Sequence, residues 1–90
     1  MKISGKQVTA ARNLLGITQV ELAAAASVAE STVMRFEAGQ AEPQRASLEK
    51  ILAELDRRGI EFINGTGPGV RLNLGKAAEY AARTSQDSRA

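Results

Sequence analysis

Residues 17–39 read Ile17-Thr18-Gln19-Val20-Glu21-Leu22-Ala23-Ala24-Ala25-Ala26-Ser27-Val28-Ala29-Glu30-Ser31-Thr32-Val33-Met34-Arg35-Phe36-Glu37-Ala38-Gly39. Thr18 and Glu21 stand at the spacing of a capping box, and Ile17 and Leu22 at that of a hydrophobic staple, so a helix starts at Gln19. It runs to about Ala26, breaks at Ser27-Val28, and resumes from Glu30 to Glu37 before Gly39. Two short helices joined by a three-residue turn form a helix-turn-helix, and so short a turn forces a steep crossing. Ala23 and Ala26 let the helices approach closely, while Leu22, Val28, Val33 and Phe36 supply the apolar set that fixes the angle. With about 100° of turn per residue, Val33 and Phe36 facing inward place Ser31 and Arg35 outward. Met34 and Glu30 lie on one flank of that outward side and Thr32 on the other.

Working outward, Ser4-x-x-Gln7 opens an earlier helix through Val8, Ala11, Leu14 and Leu15 that stops at Gly16. After Gly39 comes a loop with Pro43. Ser47 then caps a fourth helix with a Leu48, Ile51, Leu52, Leu55 stripe, ended by Gly59, where Arg57 and Arg58 suit the helix dipole. The period then changes to two: Ile60–Ile63 and Val70–Asn73 flank Gly65-Thr66-Gly67-Pro68-Gly69 and read as a β-hairpin. The glycine run lacks the Lys-Ser or Lys-Thr ending of a nucleotide-binding loop and reads as a turn. Lys76–Arg83 has the length of two helical turns, and Thr84–Ala90 reads as disordered. The fold class is therefore mainly α: a small bundle of four helices with a helix-turn-helix, then a C-terminal hairpin and a short tail. The expected division is 1–59 for the helical domain, 60–74 for the hairpin and 75–90 for a flexible or marginally helical tail.

Composition narrows function by exclusion. The 90 residues include no Cys and no His, which removes disulfides, thiol nucleophiles, His-based acid–base chemistry and the usual zinc ligands. No set of Ser, Thr, Tyr80, Lys or carboxylates forms a recognisable nucleophile or acid–base group, so no enzyme, cofactor or metal is expected. No apolar stretch reaches the ~18 residues of a membrane span and Met1–Ala10 lacks a signal-type apolar run, so the expectation is a soluble cytoplasmic protein without membrane contact. The net charge of +2 marks a nucleic-acid binder only if the basic groups are sorted onto one face. Sixteen of the residues are Ala, a composition that suits helices packed at close range.

Residues 4–58 resemble the phage-repressor, XRE-type, lambda-repressor-like helix-turn-helix family. The resemblance rests on Thr18-Gln19-x-Glu21-Leu22-Ala23, then Val28, Val33 and Phe36-Glu37-x-Gly39. It implies that Glu30, Ser31, Met34 and Arg35 lie in the DNA major groove and that Gln19 meets a phosphate at the start of the second helix. It also pairs Arg12 with Glu37, bracing the reading helix while Arg12 still reaches the backbone. Lys6, Arg12, Gln19, Gln40 and Arg45 are the candidate phosphate contacts, being in the first helix, at the second helix start or in loops near the third. Arg35 suits guanine O6 and N7, and Met34 either packs on a thymine methyl or covers its neighbours. The chain departs from the family at Ser27, where Gly is usual, at Ala29, where Ser or Thr usually caps the reading helix, and at Glu30. Beside phosphates Glu30 is repulsive unless it accepts a hydrogen bond from cytosine N4.

Two isolated strands are barely stable in water, so the hairpin needs a cover, and a second subunit would supply it through Ile60, Phe62, Ile63, Val70 and Leu72. The leading expectation is a homodimeric, sequence-specific transcriptional regulator, a repressor, bound to a two-fold operator in double-stranded DNA with its third helix in the major groove. The alternative is an antitoxin or anti-activator acting mainly through a protein partner that folds the tail, Lys76–Ala90.

Overall fold

The computed structural model describes residues 2–89, with side chains through residue 84. Helix α1 spans Gly5–Leu15, α2 Gln19–Ala26, α3 Glu30–Glu37 and α4 Arg45–Arg57; strands β1, Ile60–Ile63, and β2, Gly69–Leu72, follow, and then α5, Leu74–Arg89. The first two helices start where the capping boxes predict. Ser4 and Thr18 each accept the N–H of the third helical residue, while the Gln7 and Glu21 side chains accept the N–H of the cap, at 2.8–3.2 Å. Helix α1 stops at Gly16, whose φ of 70° is open to glycine. Helix α2 makes the same left-handed turn with a side chain present, at Ser27, φ 59°.

Helix α4 begins at Arg45, two residues ahead of the expected Ser47 cap. Gln44 leaves the loop in an extended conformation and its carbonyl accepts the Leu48 N–H at 2.9 Å, so the helix closes as soon as Pro43 is passed and no side chain caps it. One core joins the first four helices and β1: Val8 and Ala11 of α1, Leu22, Ala23 and Ala26 of α2, Val33 and Phe36 of α3, Ile51 and Leu55 of α4 and Ile60 of β1 are all buried. Burying a Leu or Ile side chain contributes about 1.5–3 kcal/mol, and a chain this small relies on every one of these contacts.

The hairpin pairs Ile60 with Leu72 and Ile63 with Gly69. The second strand ends at Leu72 rather than Asn73, because Asn73 has other partners. Its N–H donates to Gly59 O at 2.8 Å, and its side-chain oxygen accepts the Lys76 N–H at 3.0 Å, capping α5. The cover for the hairpin comes from its own chain. Ile60 lies in the core, and Phe62, Val70 and Leu72, each half-buried, pack against it, while Ile63 is 40% exposed. The turn end is tied to α1 by Gln7, whose amide nitrogen donates to Ile63 O at 3.0 Å and Gly69 O at 3.1 Å.

Helix α5 runs past the two turns expected between Lys76 and Arg83. A free helix of this length is marginal in water, and its first turns are anchored by the Asn73 cap, an ion pair between Lys76 and Asp56 at 3.2 Å, and Arg58 stacked 4.8 Å from the Tyr80 ring centre. Of the stretch Thr84–Ala90 expected to be disordered, Ala90 lies outside the described residues. Arg57 and Arg58 serve as more than dipole complements: both bond the buried Glu54, at 2.8 and 2.7 Å. No helix among the described residues is long and apolar enough to cross a membrane.

Candidate nucleic-acid interface

Helix α3 has one wet side and one dry side, and the division follows from its sequence. Val33 and Phe36 are buried against α2 and α1, whereas Glu30, Ser31, Met34 and Arg35 are exposed and Thr32 is half-buried. Met34 keeps 47% of its surface in solvent, more than a core residue would. The small contacts that allow α2 to cross so near are Ala23 and Ala26, both buried. The four residues aligned with base readout thus form one outward row on a helix whose inner side is pinned.

The C-terminal end of that helix is fixed by a polar cluster. Glu37 Oε2 accepts from Arg12 Nε and Oε1 accepts from Arg12 Nη2, both at 2.9 Å, and Gln19 Nε2 donates to Oε1 at 3.0 Å. Arg12 Nη1 donates to Ile17 O at 3.0 Å, so the same guanidinium also holds the α1–α2 turn. The Arg12 and Glu37 side chains are 15% and 5% exposed. Burial pushes the Glu37 carboxyl up, but the hydrogen bonds from Arg12 and Gln19 and the Arg12 charge outweigh it and hold the group below the usual carboxylate range. The hydrogen bond to Glu37 in turn raises the Arg12 pKa, against the opposing effect of burial. A bidentate pair of this kind specifies geometry more than it adds net stability, since desolvation offsets much of the attraction.

The residues expected at phosphates fall into two groups. Arg12 and Gln19 are drawn inward to Glu37, so their principal contacts are internal; Arg12 keeps only the second N–H on each terminal nitrogen for another partner. Lys6, Gln40 and Arg45 are exposed, and the Arg45 side chain, 91% exposed, lies only 3.5 Å from Glu49. Thr32 and Arg35 share a groove of about 370 Å³ with Pro43, Gln44 and Ser47, between α3 and the start of α4. Neither α3 nor α4 has a side-chain cap, and the unbonded N–H groups at such helix starts suit anionic oxygens.

Three residues build this frame through contacts that the sequence does not display. Gln7 was visible only as half of a capping box, although it sits beside Val8 on the buried side of α1. Glu54 lies between Ile51 and Leu55, and a charged residue inside an apolar stripe was the signal available. Gly5 occupies the first turn of α1 against the end of α3, and nothing local in the sequence marks that contact.

A pinned helix pair with an exposed polar row on the second member defines a helix-turn-helix of the DNA-binding class. A family model described as Helix-turn-helix matches residues 8–62, more than half of the chain. The chain belongs to this family, the XRE-type, lambda-repressor-like helix-turn-helix proteins. No curated protein matches it. The family is one of DNA-binding transcriptional regulators.

Proposed function

We propose that this regulator is a repressor that reads a two-fold operator as a homodimer, with α3 in the major groove. The observation that carries the proposal is the outward row Glu30, Ser31, Met34 and Arg35 on a helix clamped at its far end by Arg12, Gln19 and Glu37. In this reading Arg35 bonds guanine O6 and N7, Glu30 accepts from cytosine N4, Ser31 contacts a base edge and Met34 covers a thymine methyl. Lys6, Gln40 and Arg45 hold the phosphates, joined by the remaining donors of Arg12 and Gln19. Eight helical residues span about 12 Å, about four base pairs, too few to single out an operator, so two copies are needed. The dimer contact is assigned to the hairpin, through its exposed Ile63 and a sheet of only two strands.

The test is a titration onto the protein's own upstream DNA and onto random DNA at several salt concentrations. Arg35→Ala should weaken operator binding by about 5- to 150-fold, the worth of one bidentate base contact, and leave random DNA unaffected. Equal loss on both DNAs makes Arg35 a phosphate contact and refutes the readout. A second reading, a protein partner docked on the C-terminal segment, is favoured by Leu74, 75% exposed at the start of α5. Co-purification of a stoichiometric partner, abolished by truncation at Gly75, would place that reading first.

A further inference from the structure

Gly5 stands in the first turn of α1, where the backbone is ordinary helix: it is not among the glycines with positive φ. Glycine is a poor helix former, so its presence here requires a reason other than conformational freedom. The reason lies across the interface. A Cβ at this position would stand 1.9 Å from the carbonyl oxygen of Phe36, 2.7 Å from its carbon and 3.0 Å from Glu37 Cα. All three obstacles are backbone atoms, so no rotamer change can relieve the clash. The Phe36 carbonyl is also engaged, accepting the Gly39 N–H at 3.1 Å where α3 closes. Restoring ordinary contact would move the end of α3 away from α1 by about 1.5 Å.

We infer that Gly5 is a positioning residue for DNA reading: the missing side chain sets how closely the reading helix docks on α1, and hence how α3 meets the groove. The inference rests on the proposed reading of DNA by α3. Two contacts locate the end of that helix, the backbone approach at Gly5 and the Arg12–Glu37 pair two turns further along α1. Widening one while the other holds tilts α3. Base-edge hydrogen bonds need placement within about 0.5 Å, whereas long exposed side chains such as Lys6 and Arg45 follow a phosphate through a shift of that size. The expected signature is therefore lost discrimination with non-specific affinity retained. A purely structural residue would change stability and leave discrimination alone.

The experiment selects an operator for the wild type from a random-sequence DNA pool. Binding to that operator and to random DNA is then measured for the wild type, Gly5→Ala, Arg35→Ala and Gly67→Ala; Gly67 has open space where a Cβ would sit. Gly5→Ala should lower the operator-to-random ratio by about tenfold or more, with random-DNA affinity within about twofold of wild type. Gly67→Ala should change neither. If Gly5→Ala is too unstable to assay, the double variant with Ser27→Gly, which relieves the left-handed conformation at Ser27, carries the measurement. A ratio unchanged in Gly5→Ala while Arg35→Ala loses operator binding overturns the role of Gly5 and leaves the reading by α3 intact. Failure to fold even with Ser27→Gly also overturns it, since Gly5 would then be a folding residue. A wild type that selects no sequence contradicts the reading by α3 and removes the role of Gly5 with it.

Discussion

The two ends of α3 are held in opposite ways. At its C-terminal end Glu37 takes three hydrogen bonds from two other elements and Gly5 brings α1 against the backbone. At its N-terminal end Ala29 offers no cap and the preceding turn passes through a left-handed Ser27. Precision is concentrated at the end away from the preceding turn. In helix-turn-helix proteins the early residues of the reading helix meet the base edges, and here that end is free of internal polar partners while the remote end sets the orientation.

Breaking the clamped end should have the largest effect. Arg12→Ala leaves Glu37 a buried carboxylate without its charged partner, and should lower stability by about 3–5 kcal/mol in urea unfolding; a loss below about 1 kcal/mol would make the pair an ordinary surface contact. Acid should loosen the same end without mutation. Because the folded state holds the Glu37 carboxyl below its unfolded value, the unfolded chain takes up the proton more readily. That part of the stability is present above about pH 4.3 and is lost as pH falls through the lower, folded-state value. Thermal melts of the wild type and Glu37→Gln should therefore differ most near neutrality and converge in acid, whereas a constant gap would assign the acid sensitivity to other groups. The smallest effect belongs to the free end. Ala29→Ser adds a hydroxyl that can accept an N–H of the first turn, and should raise stability by about 1 kcal/mol; no gain would mean that the first turn is already satisfied in the free protein.

The same contrast explains what the sequence could reveal. Caps at Ser4 and Thr18, the stop at Gly16 and the change of period at Ile60 are written within three or four residues of the place they act, so element order and the outward side of α3 were legible. The pairing of Arg12 with Glu37 was accessible only through family resemblance. The partners of Gln7 lie 56 and 62 residues away, and no local pattern encodes such a contact. The cover that α1 gives the hairpin was hidden for the same reason: two strands need a partner, but period-two patterning does not name α1 as one. The length of α5 was hidden because its support comes from Asp56 and Arg58, outside its own sequence. Gly5 was the least visible of all, since a glycine opening a helix looks like a weak start until the carbonyl of Phe36 is seen beyond it.

In the proposed complex α3 reads DNA from a clamped frame, two copies to a site. Footprinting of the protein's own upstream DNA, with wild type and Arg35→Ala side by side, tests it most directly. Two protected half-sites are expected about 10–10.5 base pairs apart, or a multiple of that spacing, related by two-fold symmetry and lost in Arg35→Ala. A wild type that binds the fragment without protecting any site, or an Arg35→Ala footprint identical to the wild type, would contradict it.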